Sequence, residues 1–267
     1  MMKKIFLAAA ILFATCSIKA QQKEGKIMYE RKVQMQVSFG GDLPPGIQNA
    51  MPTSRTDRFE LNFANNQMAW RMMEEDIKDD AMANDGRGNQ FVFRTIGGGA
   101  DDMTFCDFEK SKKVEQREFM DKKFIIADSL RKGNWKLTGE TKTILGYTCR
   151  QATSQRFGKR MMMTMNDGKM ERKEVDDTTN MIAWFTTDIP VAIGPEVQGQ
   201  LPGAILELET NNGRTLYTAT EVLAKPSLSA IKEPTKGKKV TPDEFTAERN
   251  KLMEQMQQNG NMRIRMN

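Results

Sequence analysis

The chain contains no histidine in 267 residues. That removes Ser-His-Asp and Cys-His catalysis, and with them histidine-ligated zinc, iron and copper sites. Cysteine is scarce too, with three in all. Cys16 lies in the N-terminal apolar stretch, so Cys106 and Cys149 alone cannot build a four-cysteine zinc site. Aromatic residues make up 7% of the chain. Beyond the N-terminus there is no long apolar run, so nothing there reads as a membrane-spanning helix. The glycines at 97–99 are not followed by Gly-Lys-Ser/Thr, which excludes a phosphate loop there. Asp101-Asp102 lacks the spaced oxygen ligands of a calcium loop.

What is present begins with a targeting segment. Lys3 and Lys4 precede an apolar run from Ile5 to Ile18, the length of a secretory signal and too short for a membrane span. Cleavage is expected after Ala20. Acylation of Cys16 is the alternative, with Thr15 a poor fit to the small residue expected before a lipidated cysteine. The net charge of +5 counts Lys3, Lys4 and Lys19 of this segment. The mature chain is therefore close to balanced, which argues against a nucleic-acid partner. In an exported protein, Cys106 and Cys149 form either a disulfide or two buried thiols that never meet.

The rest reads as mainly β: an antiparallel meander forming a curved sheet or half-barrel, with a C-terminal helix on one face. A β-sandwich is the alternative. Ile27, Tyr29, Val33, Met35, Val37 and Phe39 alternate with polar residues, as do Phe59, Leu61 and Phe63, then Met68, Trp70 and Met72. Further strands are expected near 90–95, 102–108, 112–119, 123–127, 134–141 and 146–154. Asp167-Gly168 and Asn212-Gly213 suit two-residue hairpin turns, the first setting Met165 against Met170 and the second Leu208 against Tyr217. Ile182 to Phe185 is apolar on both faces and reads as a central strand. Residues 40–56 and 74–89 read as loops. The predicted organisation is a signal at 1–20, a β domain at 21–224, a linker at 225–241, a helix at 242–259 and a frayed tail at 260–267. Thr241, Pro242 and Glu244 supply the cap of that helix.

Gln200-Leu201-Pro202-Gly203-Ala204-Ile205 resembles the hexapeptide of the GLPGLI family, exported proteins of Bacteroidetes-type bacteria, with four of six positions kept. Phe124 to Leu130, Trp135 to Leu137, Glu140 to Ala152 and Lys236 to Phe245 resemble its central and C-terminal blocks. The resemblance covers most of residues 120–250. It implies an exported protein and attaches no activity. Gln200 and Ala204 depart from the hexapeptide, while Leu201, Pro202 and Gly203 keep its centre. Pro202 and Gly203 turn the chain before the strand at 206–208.

Three functional readings follow. The leading one is a non-enzymatic carrier or binder of an apolar ligand, a lipid or an envelope partner, on a concave face of adaptable methionine and aromatic side chains. The second uses the 21 methionines. Thioethers bind Cu(I). Met161 and Met165 on one strand are about 13 Å apart at roughly 3.3 Å per residue, so a compact site needs the hairpin partner: Met163, Met165 and Met170. The third is a hydrolase built on Asp188, Glu207 and Glu209. No catalytic residue and no resident cofactor is expected on the leading reading.

Overall fold

The computed structural model describes residues 22–34, 53–73, 81–84, 90–93, 102–166 and 169–258; within these, the side chains of 81–84, 90–93, 160–172 and 256–258 are not described. The strands are β1 (Gly25–Gln34), β2 (Ser54–Ala64), β3 (Gln67–Met72), β4 (Ala81–Asn84), β5 (Gln90–Phe93), β6 (Met103–Asp107) and β7 (Lys112–Phe119). They continue as β8 (Lys122–Ser129), β9 (Lys136–Ile144), β10 (Tyr147–Asn166), β11 (Lys169–Thr186), β12 (Ala204–Thr210), β13 (Thr215–Leu223) and β14 (Lys238–Val240). Helix α1 (Pro242–Gln258) follows. Twelve strands form one open, curved sheet in the order β14-β8-β7-β6-β3-β2-β1-β13-β12-β11-β10-β9, while β4 and β5 pair separately.

Tight turns carry the meander. Asn65 and Asn66 both adopt positive φ between β2 and β3, and Asn211, Asn212 and Gly213 all do so between β12 and β13. Asparagine and glycine enter that region at least cost, and two such residues in succession suit the twist of a two-residue hairpin. The second turn sets Leu208 opposite Tyr217, as expected. Asp167-Gly168 lies outside the described residues, but the flanking pairs Asn166↔Lys169 and Met165↔Met170 agree with its predicted register. Met35, Val37 and Phe39 also lie outside them.

Two stretches read as irregular contain strands. Ala81–Asn84, inside the expected loop at 74–89, pairs with Gln90–Phe93. Lys238–Val240, inside the expected linker, pairs parallel with β8 through Lys238↔Phe124, Lys239↔Ile125 and Val240↔Ile126. Helix α1 then folds back on β8. Its capping box is formed: the Thr241 N–H donates to Glu244 Oε2 at 2.7 Å, and the Glu244 N–H donates to Thr241 Oγ1 at 3.2 Å. Phe245 meets Phe124 edge-on at 5.3 Å, and Leu252 is buried beside Ile126 and Val240.

The main core lies under the connection from β11 to β12, residues 187–203. Ile189, Val191 and Ile193 from that connection join Ile27, Tyr29, Phe59, Leu61, Phe63 and Leu206. Val197 and Leu201 join Met181, Ala183, Phe185 and Leu208. The connection is tied to the sheet by backbone hydrogen bonds from Ala204 to Ile189 and from Ile205 to Ile193.

Candidate functional site

A polar cleft of about 410 Å³ opens beside this core, lined by Arg31, Arg55, Asp57, Arg156, Glu196 and Tyr217 together with Val33, Thr179, Thr210, Asn211 and Thr215. Its floor is two rows of cross-strand partners. Asp57, Arg31, Tyr217 and Leu208 stand opposite one another across β2, β1, β13 and β12. Arg55, Val33, Thr215 and Thr210 form the next row. Partners directly opposite share a face, so the register gathers these groups.

Asp57 organises the cleft. It is only 1% exposed, yet it carries a carboxylate. Arg31 donates to its Oδ2 from Nη2 at 2.6 Å and from Nε at 3.1 Å, and Arg55 Nε donates to its Oδ1 at 2.5 Å. A buried charge so costly in isolation is thereby paired on both oxygens. The Arg31 guanidinium lies 4.9 Å from the Phe59 ring centre, and Phe59 stacks on Trp70 at 4.8 Å. Burial opposes the Arg31 charge, but Tyr217 and Asp57 outweigh it and its pKa lies above the ordinary arginine value. The guanidinium is therefore both permanently charged and held in one orientation.

Glu196 closes the far side. Its φ is +61°, and the Val197 N–H donates to the Pro195 carbonyl at 2.6 Å, which makes Glu196 the centre of a γ-turn with positive φ. That conformation costs a non-glycine residue about 1–3 kcal/mol and collects at functional sites. Here it presents the carboxylate to the Tyr217 hydroxyl, which donates to Glu196 Oε1 at 2.7 Å. Burial and the Glu196 charge push the Tyr217 pKa up, partly opposed by Arg31, so the phenol stays a donor. Arg156 and Thr179 complete the rim from β10 and β11, where they are register partners.

Sequence reasoning did not single out this cleft. The signal was nonetheless available. Ile27, Tyr29 and Val33 mark the inward face of β1, and Arg31 interrupts it; Phe59, Leu61 and Phe63 do the same on β2, and Asp57 sits in phase with them.

The cysteines and the acidic residues expected from the sequence do not line this cleft. Cys106 and Cys149 are both buried and free, on β6 and β10, with six strands between them in the sheet order. Both thiols are unbridged here and join the main apolar cluster. Burial raises the Cys106 thiol to about 12 and the Cys149 thiol to about 11. Glu207 is bound by Lys142 at 2.7 Å, and Lys142 lies 4.3 Å from the Trp184 ring centre. Asp188 belongs to the 187–203 connection near Tyr147. The side chains of Met163, Met165 and Met170 lie outside the described residues. Among the described residues no group of three or more acidic or cysteine side chains is placed to hold a metal ion. No helix among them is long and apolar enough to cross a membrane.

Leu201, Pro202 and Gly203 have a structural explanation. Leu201 is buried in the core, Pro202 is exposed and Gly203 is buried. A Cβ on Gly203 would stand 2.0 Å from the Thr186 carbonyl oxygen. Gln200 accepts a hydrogen bond from Trp135 Nε1 at 3.0 Å. The motif is where the connection re-enters the sheet against backbone.

Fold and site together define a mainly β protein whose concave core is filled by its own chain and whose polar cleft is organised by paired arginines. Residues 135–207, less than half of the chain, match a family described as "Protein of unknown function (Porph_ging)", which is typical of Bacteroidetes. The resemblance to GLPGLI proteins stands on the residues quoted above and not on this match. No curated protein matches the chain. Two structures of PNGF-II, in the C2 and P21 space groups, are each 17% identical with TM-scores of 0.49 and 0.48, over 85% and 86% of this chain and 33% and 34% of theirs. The chain thus spans about a third of the PNGF-II chains. LprF from Mycobacterium bovis is 7% identical with a TM-score of 0.27, over 82% of this chain and 92% of that one. Likeness at these levels carries no argument about activity.

Proposed function

We propose that the chain is an exported, non-enzymatic binding protein of the cell envelope, and that its ligand seats in the cleft around Arg31 and Tyr217. The observation that carries this reading is the strained Glu196 turn facing an arginine pair prearranged by a buried aspartate. Binding sites concentrate such strain and such ordered polar groups. The N-terminal leader supports export. The absence of histidine across the sequence supports binding over acid–base chemistry.

The cleft favours a polar ligand. An apolar ligand would need the concave face, and Ile189, Val191, Ile193, Val197 and Leu201 already occupy it. A polar ligand in the cleft displaces only water. Native mass spectrometry of the mature chain, purified from an exporting host, tests this. The expected result is a small polar ligand held by the wild type and lost in Glu196→Ala. A lipid retained equally by both proteins would overturn the cleft as the site.

A further inference from the structure

We infer that the group seated in the cleft is a singly charged carboxylate; this rests on the cleft being the binding site. Its lining residues include three guanidinium groups, on Arg31, Arg55 and Arg156, against two carboxylates, on Asp57 and Glu196. Among these lining residues, positive charges outnumber negative ones by one. Asp57 is bound by both Arg31 and Arg55, and Glu196 is bound by Tyr217. That leaves Arg156 as the lining cation not engaged in a hydrogen bond or ion pair with another described residue. Arg156 is exposed at the rim, on the strand pair that leaves the sheet.

Charge balance selects among anions. A monoanion brings the cleft to neutrality. A phosphate dianion would leave it net negative beside Asp57 and Glu196, where repulsion in a partly desolvated site is strong. A neutral ligand would leave the exposed Arg156 guanidinium to solvent and draw no affinity from its charge. The guanidinium fork matches the planar carboxylate and can bind both its oxygens. The Thr179, Thr210 and Thr215 hydroxyls and the Asn211 amide, also lining the cleft, suit the polar body of a ligand such as an acidic sugar. A hydroxyl-rich carboxylate meets every class of polar group found there.

Calorimetric titration with glucuronate, with its neutral counterpart glucose and with inorganic phosphate is the test, on the mature wild type and on Arg156→Gln. Arg156 is exposed, so its replacement leaves the core intact. Glucuronate is expected to bind at least about tenfold more tightly than glucose or phosphate, and Arg156→Gln to weaken it by about tenfold, the worth of one charge-assisted hydrogen bond. Glucose or phosphate binding as tightly as glucuronate, with loss in Glu196→Ala, would overturn the carboxylate and keep the cleft. Glucuronate binding unchanged in Arg156→Gln would overturn the assigned role of the surplus charge. No saturable binding by any of the three would overturn the inference, and the native mass spectrum would decide separately whether the cleft is the site.

Discussion

The β10–β11 hairpin lives in two environments, and its two ends differ in everything but hydrogen bonding. At the sheet end, Ala152, Met181, Ala183 and Phe185 are buried, with β9 and β12 alongside and the 187–203 connection packed above. Beyond Thr153 and Asn180 neither neighbour continues, and among the described residues 155–166 and 169–179 form strand pairs only with each other. That ribbon extends for about 40 Å at roughly 3.3 Å per residue. Residues 155–159 are all exposed, and Phe157 is 76% exposed. Register is continuous through both regions, so backbone pairing alone specifies the ribbon. Stability is another matter: a two-stranded ribbon without a third layer is marginal in water, whereas the sheet end draws on apolar burial. The cleft sits where the two regimes meet, with Arg156 and Thr179 at its rim.

The largest expected effect comes from putting the same methyl group in each region. Gly203→Ala drives a Cβ to 2.0 Å from the Thr186 carbonyl oxygen and 3.3 Å from that of Ile189. Both are backbone atoms of the core connection and cannot swing aside. A loss of about 3 kcal/mol or more is expected by denaturant unfolding, at the upper end of overpacking. Gly158→Ala, on the ribbon, meets nothing within 4 Å and should change stability by less than about 1 kcal/mol. Equal losses at the two positions would erase the distinction between the regions.

A smaller effect is expected at Tyr29. Its hydroxyl donates to the Ile205 carbonyl at 2.6 Å, from β1 to β12, past the strand between them. Burial, then the nearby Cys149, raises its pKa, so it stays a neutral donor. Tyr29→Phe keeps the ring and leaves the Ile205 carbonyl unsatisfied in the core. That should cost about 1–3 kcal/mol, read as a lowered unfolding midpoint with an unchanged denaturant slope. A change in the slope would mean that the curved sheet itself had opened.

How much of this was legible in the sequence depended on whether the signal was local. The helix cap is four residues long and self-contained, so Thr241 and Glu244 were readable. The strand at 112–119 and the pairing of Leu208 with Tyr217 follow from alternation and one turn. The reach of the β10–β11 ribbon was not readable, because Gln155 to Lys159 carries no apolar face and alternation is the signal for a half-buried strand. Strand β14 is three residues long and forms only because β8 offers an edge. The cleft needed register across β2, β1 and β13, including the irregularity between Met28 and Tyr29. Its trace in the sequence is a charged residue in phase with an apolar face, at Arg31 and Asp57. Ile189, Val191 and Ile193 alternate as a strand would, yet they belong to a connection that packs on the sheet and not to the sheet, which alternation alone does not distinguish.

The smallest effect on stability should accompany the largest difference in dynamics. Phe157→Ser removes an exposed ring from the ribbon and should shift global stability by no more than about 0.5 kcal/mol, since the ring buries little in the monomer. Native-state hydrogen exchange then separates the regions that unfolding cannot. Amides of residues 155–159 and 174–179 should exchange through local opening far below the global free energy, while those of Met181 to Phe185 should approach it. If the ribbon amides are instead as protected as Phe185, something covers the ribbon in solution, and Phe157→Ser should then lower that protection. A second copy of the chain would make this protection fall on dilution, whereas a covering segment of the same chain would not. The ribbon's exchange rate at two protein concentrations therefore decides whether the unsupported half of the hairpin is an exposed arm or one side of an interface.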